Sequence, residues 1–322
     1  MTAPADLFAR LDEGFASRCG DFDLQRAAWV ELAGEYPPFL ERYREAAGPL
    51  PSGIVARRSG DLGLSMLWIV QATIIRALLA DLRSAGDADK IAALLDMLEH
   101  DRIASLAHSE DAANPVTVER SESNEACVSG TKKYITGGYL CDLVILTMRL
   151  AGEQKVSRAA VIPAYIIPDD AFEELHLAAL RSMSHTRLTL RKFLIPESDL
   201  FAIEGADLRR AIKRWGIVER ALIMEAFIAF CMYMGEALPA GAIPNHALDD
   251  LQSLLTAQSA TTKSAYDQAR AGERVDERSA DLASVLALAG AIRDAHKKTG
   301  DANNEGLAAR LQDLDLFSHL RA

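Results

Sequence analysis

Between about residues 103 and 203 the chain consists of short β-rich runs with no helical stretch among them, while helical periodicity fills both flanks. Asp142-Leu-Val-Ile-Leu-Thr-Met148 and Ala159-Ala-Val-Ile162 are strand candidates, separated by Gly, Asn, Asp and Pro. Arg187-Leu-Thr-Leu-Arg191 alternates polar and apolar residues, the pattern of a strand with one buried face. Strands that follow one another without crossover helices predict an antiparallel sheet or barrel, not a parallel α/β sheet.

The flanks read as helix. Asp87-Ala-Asp89 supplies N-cap candidates ahead of Ile91, Leu94, Leu95 and Leu98 at helical spacing. Gly60-Asp61-Leu62-Gly63 is a loop signal before an apolar helix over 64–82, and Pro37-Pro38 and Pro49–Pro51 punctuate earlier helices. Ile217–Met234 is apolar nearly all the way round, which places it inside a bundle or a subunit interface. Helices over about 246–271 and 276–298 are amphipathic and more polar. The expected class is α+β, mostly α. An N-terminal helical domain (1–102) precedes a middle antiparallel, barrel-like β-domain (103–203) and a C-terminal helical bundle (204–322).

Composition narrows the function. Hydrophobic residues make up 49% and charged residues 25% of the 322, as in an ordinary globular protein. Lys plus Arg number 35 against 46 Asp plus Glu, a net charge of −11, which repels phosphate backbones and anionic lipid. Neither nucleic acid nor membrane is an expected partner. The apolar stretches Leu64–Leu82 and Ile217–Gly235 carry Arg76 and Glu219, Arg220 and Glu225, so they read as buried bundle helices. Asp6 precedes the first Arg and no long apolar core follows, so no signal peptide is expected. Cys19, Cys127, Cys141 and Cys231 form no CxxC pair and read as reduced thiols, which predicts a cytoplasmic protein. The seven histidines show no metal-ligand spacing, so no metal site is expected. Asp301, Asp313 and Asp315 read as a solvated helix face.

Two local features admit chemistry. Ala104-Ser-Leu-Ala-His-Ser-Glu110 and Ser129-Gly-Thr-Lys-Lys-Tyr-Ile-Thr136 offer hydroxyls and turn amides that can hydrogen-bond a planar heteroaromatic ring, with Tyr134 to stack on it. Ordinary strand and turn residues are the competing reading. Glu219 stands in an almost wholly apolar helix, where desolvation raises a carboxyl pKa and suits it to abstract a weakly acidic C–H proton. A structural ion pair with Arg220 is its alternative.

These same residues resemble the acyl-CoA dehydrogenase family, whose members run helical domain, β-domain, four-helix bundle. Gly86-Asp-Ala-Asp-Lys-Ile-Ala-Ala-Leu-Leu-Asp-Met-Leu-Glu99 resembles the helix leading into that β-domain. The 104–110 segment is similar to the family's segment ending in Thr-Glu-Pro, with Ser109 for the threonine and Asp111 for the proline. Gly130-Thr-Lys-Lys-Tyr-Ile-Thr-Gly137 resembles Gly-Thr-Lys-x-Trp-Ile-Thr/Ser-Asn, with Tyr134 for tryptophan, and Leu190–Pro196 resembles the closing strand. The resemblance implies FAD held by Leu106, Ala107, Ser109, Tyr134 and Thr136. It also implies an acyl-CoA thioester as substrate. Val218-Glu219-Arg220 resembles the isovaleryl-CoA dehydrogenase arrangement, in which Glu219 takes the α-proton while the β-hydride passes to the flavin.

Departures set a second expectation. The family's Tyr-x-x-Glu-Arg-x-x-Phe-Gly pattern reads here Tyr233-Met-Gly-Glu236-Ala237-Leu-Pro-Ala240-Gly241. Ala237 replaces the arginine that helps hold FAD phosphate, a loss of about 1.5–3 kcal/mol. Asn304-Glu305-Gly306 only faintly resembles the late Tyr-Glu-Gly-Thr loop. An eroded FAD site is therefore expected, completed by a homo- or hetero-oligomer through the bundle. The alternative is a non-catalytic subunit or binding protein of this fold that has lost FAD.

Overall fold

The computed structural model describes residues 5–35, 51–84, 87–98, 102–120, 124–244, 246–275, 281–299 and 305–319. Pro37-Pro38, Pro49, Gly86, Asp301 and Asn304 lie outside these residues. The chain divides into two compact units. One comprises Met1–Ile69, Leu177–Met183 and Ile217–Ala322, and the other Val70–His176 and Ser184–Gly216.

The first unit is helical. Its N-terminal part contains helices Ala5–Glu13, Phe15–Arg18, Phe22–Glu35, Pro51–Ser59 and Leu62–Ile69. Its C-terminal part contains Ala247–Arg270, Leu282–Thr299, Glu305–Asp313, Leu316–His319 and the Gly205–Glu236 helix from residue 217 onward. The Gly60-Asp61 loop signal acquires a cause here. Asp61 Oδ1 accepts the Leu64 N–H at 2.8 Å, capping the new helix, and also the Ser182 hydroxyl at 2.6 Å. Asp61 Oδ2 takes the buried Arg18 guanidinium at 2.6 Å. Arg310 ties the C-terminal part to the N-terminal helices, donating to Asp12 Oδ1 at 2.5 Å and to the Gly60 carbonyl at 2.9 Å. The apolar stretch from residue 217 is buried as expected: Val218, Leu222 and Ala226 to Cys231 are all sealed from solvent.

The expected 64–82 helix is part of one helical run, Leu62–Ser84, that turns π-helical over Val70–Ile75. The run Leu62–Asp81 is long and apolar enough to cross a membrane, but nearly all of it is buried in the protein. All four cysteines are free thiols; Cys141 and Cys231 are buried, Cys19 and Cys127 half-buried.

The second unit is built on a sheet of seven strands: β1 (Ala104–Ala107), β2 (Thr117–Arg120), β3 (Glu125–Thr136), β4 (Leu143–Leu150), β5 (Arg158–Pro163), β6 (Phe172–Glu174) and β7 (His185–Pro196). The order is β1-β4-β2-β3-β7-β6, with β5 also on β4. The α+β class holds, but the sheet is mixed and not wholly antiparallel. β4 pairs in parallel with β1 and again, further along, with β2. The reason is directional. β1 and β2 meet β4 one after the other along its length, the β2–β3 hairpin reverses the chain, and the turn before β4 reverses it again.

Candidate functional site

Two neighbouring segments of the sheet unit carry the residues expected to meet a flavin. β1 continues as an extended stretch to Glu110, which bridges Lys132 of β3. The Lys133 N–H donates to the Ser109 carbonyl at 3.0 Å, and the Asp111 N–H donates to the Thr131 carbonyl at 3.2 Å. Ser105 Oγ donates to the Thr136 carbonyl at 2.9 Å, closing the other end. Residues 105–111 and 131–136 therefore form one continuous patch of backbone.

Local irregularity decides what this patch shows to solvent. Between the pairs Lys132↔Leu188 and Ile135↔Thr186, β3 carries two residues against one on β7, a bulge. Tyr134 sits in it with φ 57°, and its side chain is 60% exposed. Gly137 (φ 82°) then turns the chain into the tight Gly138–Leu140 turn, where a Cβ on Gly138 would collide with the Thr186 side chain. Ser109 is exposed, Leu106 and Thr136 are half-buried, and Ala107 is buried. The structure thus brings all five expected residues onto adjoining strands, with Ala107 lining the interior behind them.

The set fits a flavin ring in kind. It presents two hydroxyls and an outward aromatic face, donors and a stacking surface for a planar ring edged by nitrogen and oxygen. The position at which the resemblance expects an arginine for FAD phosphate lies in the helical unit and holds no cation. Ala237 is exposed just past the Gly205–Glu236 helix, and Glu236 is ion-paired with Arg57.

Reading the sequence alone missed the charges behind this patch. Lys132 is fully buried and reaches Glu110 Oε1 at 3.0 Å, while Arg149 holds Glu110 Oε2 through Nε at 3.0 Å. Burial works against ionisation of Glu110, but the Arg149 and Lys132 hydrogen bonds hold its carboxyl below the ordinary range. The legible signal was one charged residue in each matching motif, Glu110 and Lys132.

The helical unit carries the expected base. Glu219 is half-buried within the Gly205–Glu236 helix, and among the described residues its carboxylate makes no side-chain hydrogen bond or ion pair. Burial pushes its pKa up to about 7, with the Arg220 charge pulling weakly the other way. The expected solvated face is overturned at Asp313, while Asp315 is half-buried. Asp313 is buried, accepting the Leu180 N–H at 2.6 Å, and Asp315 pairs with Arg293. Burial first, then the Asp61 charge, raises Asp313 to about 7. The sign was present in the spacing: Gly306, Ala309 and Asp313 lie on one helical face, and that small-residue face is the buried one. Among the described residues no group of His, Cys, Asp and Glu could hold a metal ion.

No protein-family model and no curated protein sequence matches the chain. Solved structures do. FkbI, for biosynthesis of the methoxymalonyl extender unit of Fk520, superposes with a TM-score of 0.70 at 17% identity over 98% of this chain and 94% of that one. Butyryl-CoA dehydrogenase from Megasphaera elsdenii gives 0.66 at 14% identity over 97% and 90%. PigA with FAD and proline gives 0.64 at 16% identity over 95% and 87%. The shared feature at such identities is architecture, carried here over nearly the whole length: this chain has the acyl-CoA dehydrogenase fold.

Proposed function

We propose that the chain is a flavin-dependent oxidoreductase that dehydrogenates the α,β carbons of an acyl-CoA thioester. One observation carries the reading: Ser109, Tyr134 and Thr136 lie on two segments joined by the Lys133–Ser109 and Ser105–Thr136 hydrogen bonds, with the Tyr134 ring turned outward. PigA, of the same fold, holds FAD, which supports the cofactor class. A bound flavin would supply the hydride acceptor. The Ser109 and Thr136 hydroxyls would orient the ring, and Tyr134 would cover one part of it from water. Glu219 would take the α-proton; a carboxyl with a pKa near 7 is matched to that task, because at neutral pH it is substantially ionised yet still basic. Assembly through the C-terminal bundle, with a second copy or a homologous chain, would supply the phosphate contact that Ala237 does not.

The test is an absorbance spectrum after the purified chain is mixed with FAD and freed of excess. A retained flavin band is expected, and no band at any FAD concentration, with the chain alone or mixed with a co-purified homologous chain, overturns the reading. That outcome would favour the second reading, a flavin-free subunit or binding protein of this fold, which the exposed Ala237 and the Arg57-paired Glu236 support. For the base, Glu219→Gln should slow exchange of the substrate α-proton with deuterated water by roughly 100-fold or more. Exchange that survives the substitution places the base elsewhere.

A further inference from the structure

Lys132, Glu110 and Arg149 form a compact group of charges next to Ser109 and Tyr134. The Lys132 side chain is 0% exposed, that of Glu110 12% and that of Arg149 25%. An ammonium has three N–H donors, and all three find acceptors here. They are Glu110 Oε1 at 3.0 Å, the His108 carbonyl at 3.1 Å and Thr147 Oγ1 at 3.2 Å. Arg149 takes the other carboxylate oxygen through both Nε and Nη2. His108 adds no charge: burial first and Lys132 second lower its pKa to about 4, and its Nδ1 lies 3.0 Å from Thr147 Oγ1. One cation would neutralise Glu110. Two leave a net positive charge in a poorly screened interior, where its field carries further than in water.

We propose that this surplus charge tunes the flavin, favouring its reduced, anionic form and so raising its midpoint potential. The proposal rests on the flavin reading and adds a role for residues that touch neither ring nor substrate. Glu110 directly follows Ser109, and Lys132 stands two residues before Tyr134, so the charge lies within a residue or two of the proposed contacts.

A second consequence follows by reciprocity. Reducing a flavin with two electrons and one proton leaves one added negative charge. If Lys132 stabilises that charge, the charge must in turn tighten Lys132's hold on its own proton. Burial pulls Lys132 down to about 8; the Glu110 hydrogen bond and charge restrain the fall, and Arg149 adds to it. The groups facing it are Glu110 and His108 from the 108–110 segment and Arg149 from β4, while Leu188 opposite on β7 is apolar. Just above pH 8, therefore, reduction should draw a second proton, onto Lys132. The fall of potential with pH then doubles in steepness over that window.

The test is the two-electron potential of the FAD-loaded full chain, with dithionite as electron donor and an indicator dye, at about pH 6.5 and as a function of pH. Lys132→Met and Arg149→Gln each remove one positive charge and should lower the potential. Glu110→Gln leaves one more and should raise it. Each tenfold change in preference for reduced over oxidised flavin is about 30 mV. All three substitutions loosen the same packing, so a purely structural role would move them in one direction. Opposite signs identify charge. Lys132→Met should also lose the steeper pH limb, and Arg149→Gln, at a partly exposed side chain, carries the test if Lys132→Met does not fold. Potentials that stay put, or shift the same way in all variants, overturn the tuning and leave flavin binding standing. A chain that retains no FAD, alone or with a co-purified homologous chain, overturns the flavin reading and the tuning with it.

Discussion

Gly130→Ala is expected to destabilise the chain by on the order of 4 kcal/mol, seen as a melting temperature lower by roughly 8 °C. Two costs add. The φ of Gly130 is 130°, a conformation that side chains with a Cβ rarely adopt. A Cβ built there would also press on the Pro115 carbonyl oxygen and lie 2.5 Å from Val116 Cα, backbone atoms that cannot turn aside. The two segments are held together by the Thr131 N–H donating to the Asn114 carbonyl at 2.9 Å. Gly152→Ala separates the contributions. Gly152 has φ 85°, and a methyl group added there would meet nothing within 4 Å, so only the conformational cost applies, about 1 kcal/mol. Thermal denaturation of both variants checks the prediction. Equal losses would show that the 115–116 segment yields to the methyl group. Because Gly130 opens the stretch that ends in Tyr134 and Thr136, a shift there should weaken FAD retention as well.

This glycine illustrates what a sequence of this kind reveals. Gly130-Thr-Lys-Lys-Tyr-Ile-Thr136 was legible as a unit, because its residue types and spacing are local properties. Why the unit begins with glycine was not, because the crowding atoms belong to Pro115 and Val116, well upstream of it in the chain. The helices and strands were legible for the same local reason. Ile217–Met234 announced its burial by being apolar on every side, and β4, β5 and β7 fall where the β-rich runs predicted them. Strand direction was not local. The parallel pairing of β4 with β1 and β2 depends on two successive reversals that no period records. The same limit hid the sharing of Glu110 between Lys132 and Arg149, partners 22 and 39 residues away. Asp313 was misread for a different reason: a carboxylate near a polar C-terminus is usually solvated, and only the helical face it shares with Gly306 and Ala309 argued otherwise.

Asp313→Asn should raise the melting temperature at pH 8 by several degrees and leave it nearly unchanged at about pH 3.5. Asp313 is 1% exposed, and its Oδ2 is buried with no hydrogen-bond partner among the described residues. Burial, helped by the nearby Asp61 charge, raises its pKa from the ordinary 3.8 to about 7, while the Leu180 hydrogen bond and then Arg310 and Arg181 oppose the rise. The folded chain therefore holds this proton more tightly than the unfolded chain does. The stability that proton provides is complete below about pH 4 and is lost as the pH climbs to about 7. At about 1.4 kcal/mol for each pH unit, the loss is on the order of 4 kcal/mol. Asparagine keeps a carbonyl oxygen to accept the Leu180 N–H and never ionises, so the variant escapes the loss. At low pH the two side chains are both neutral and nearly the same shape, and the difference closes. The measurement is a pair of melting curves from about pH 3.5 to 8. A variant curve that tracks the wild type throughout would mean that Asp313 reaches solvent when it ionises. If the gain instead grows as the pH climbs from about 4 to 7, the clasp between Asp313 and the 177–183 segment is strongest in acid.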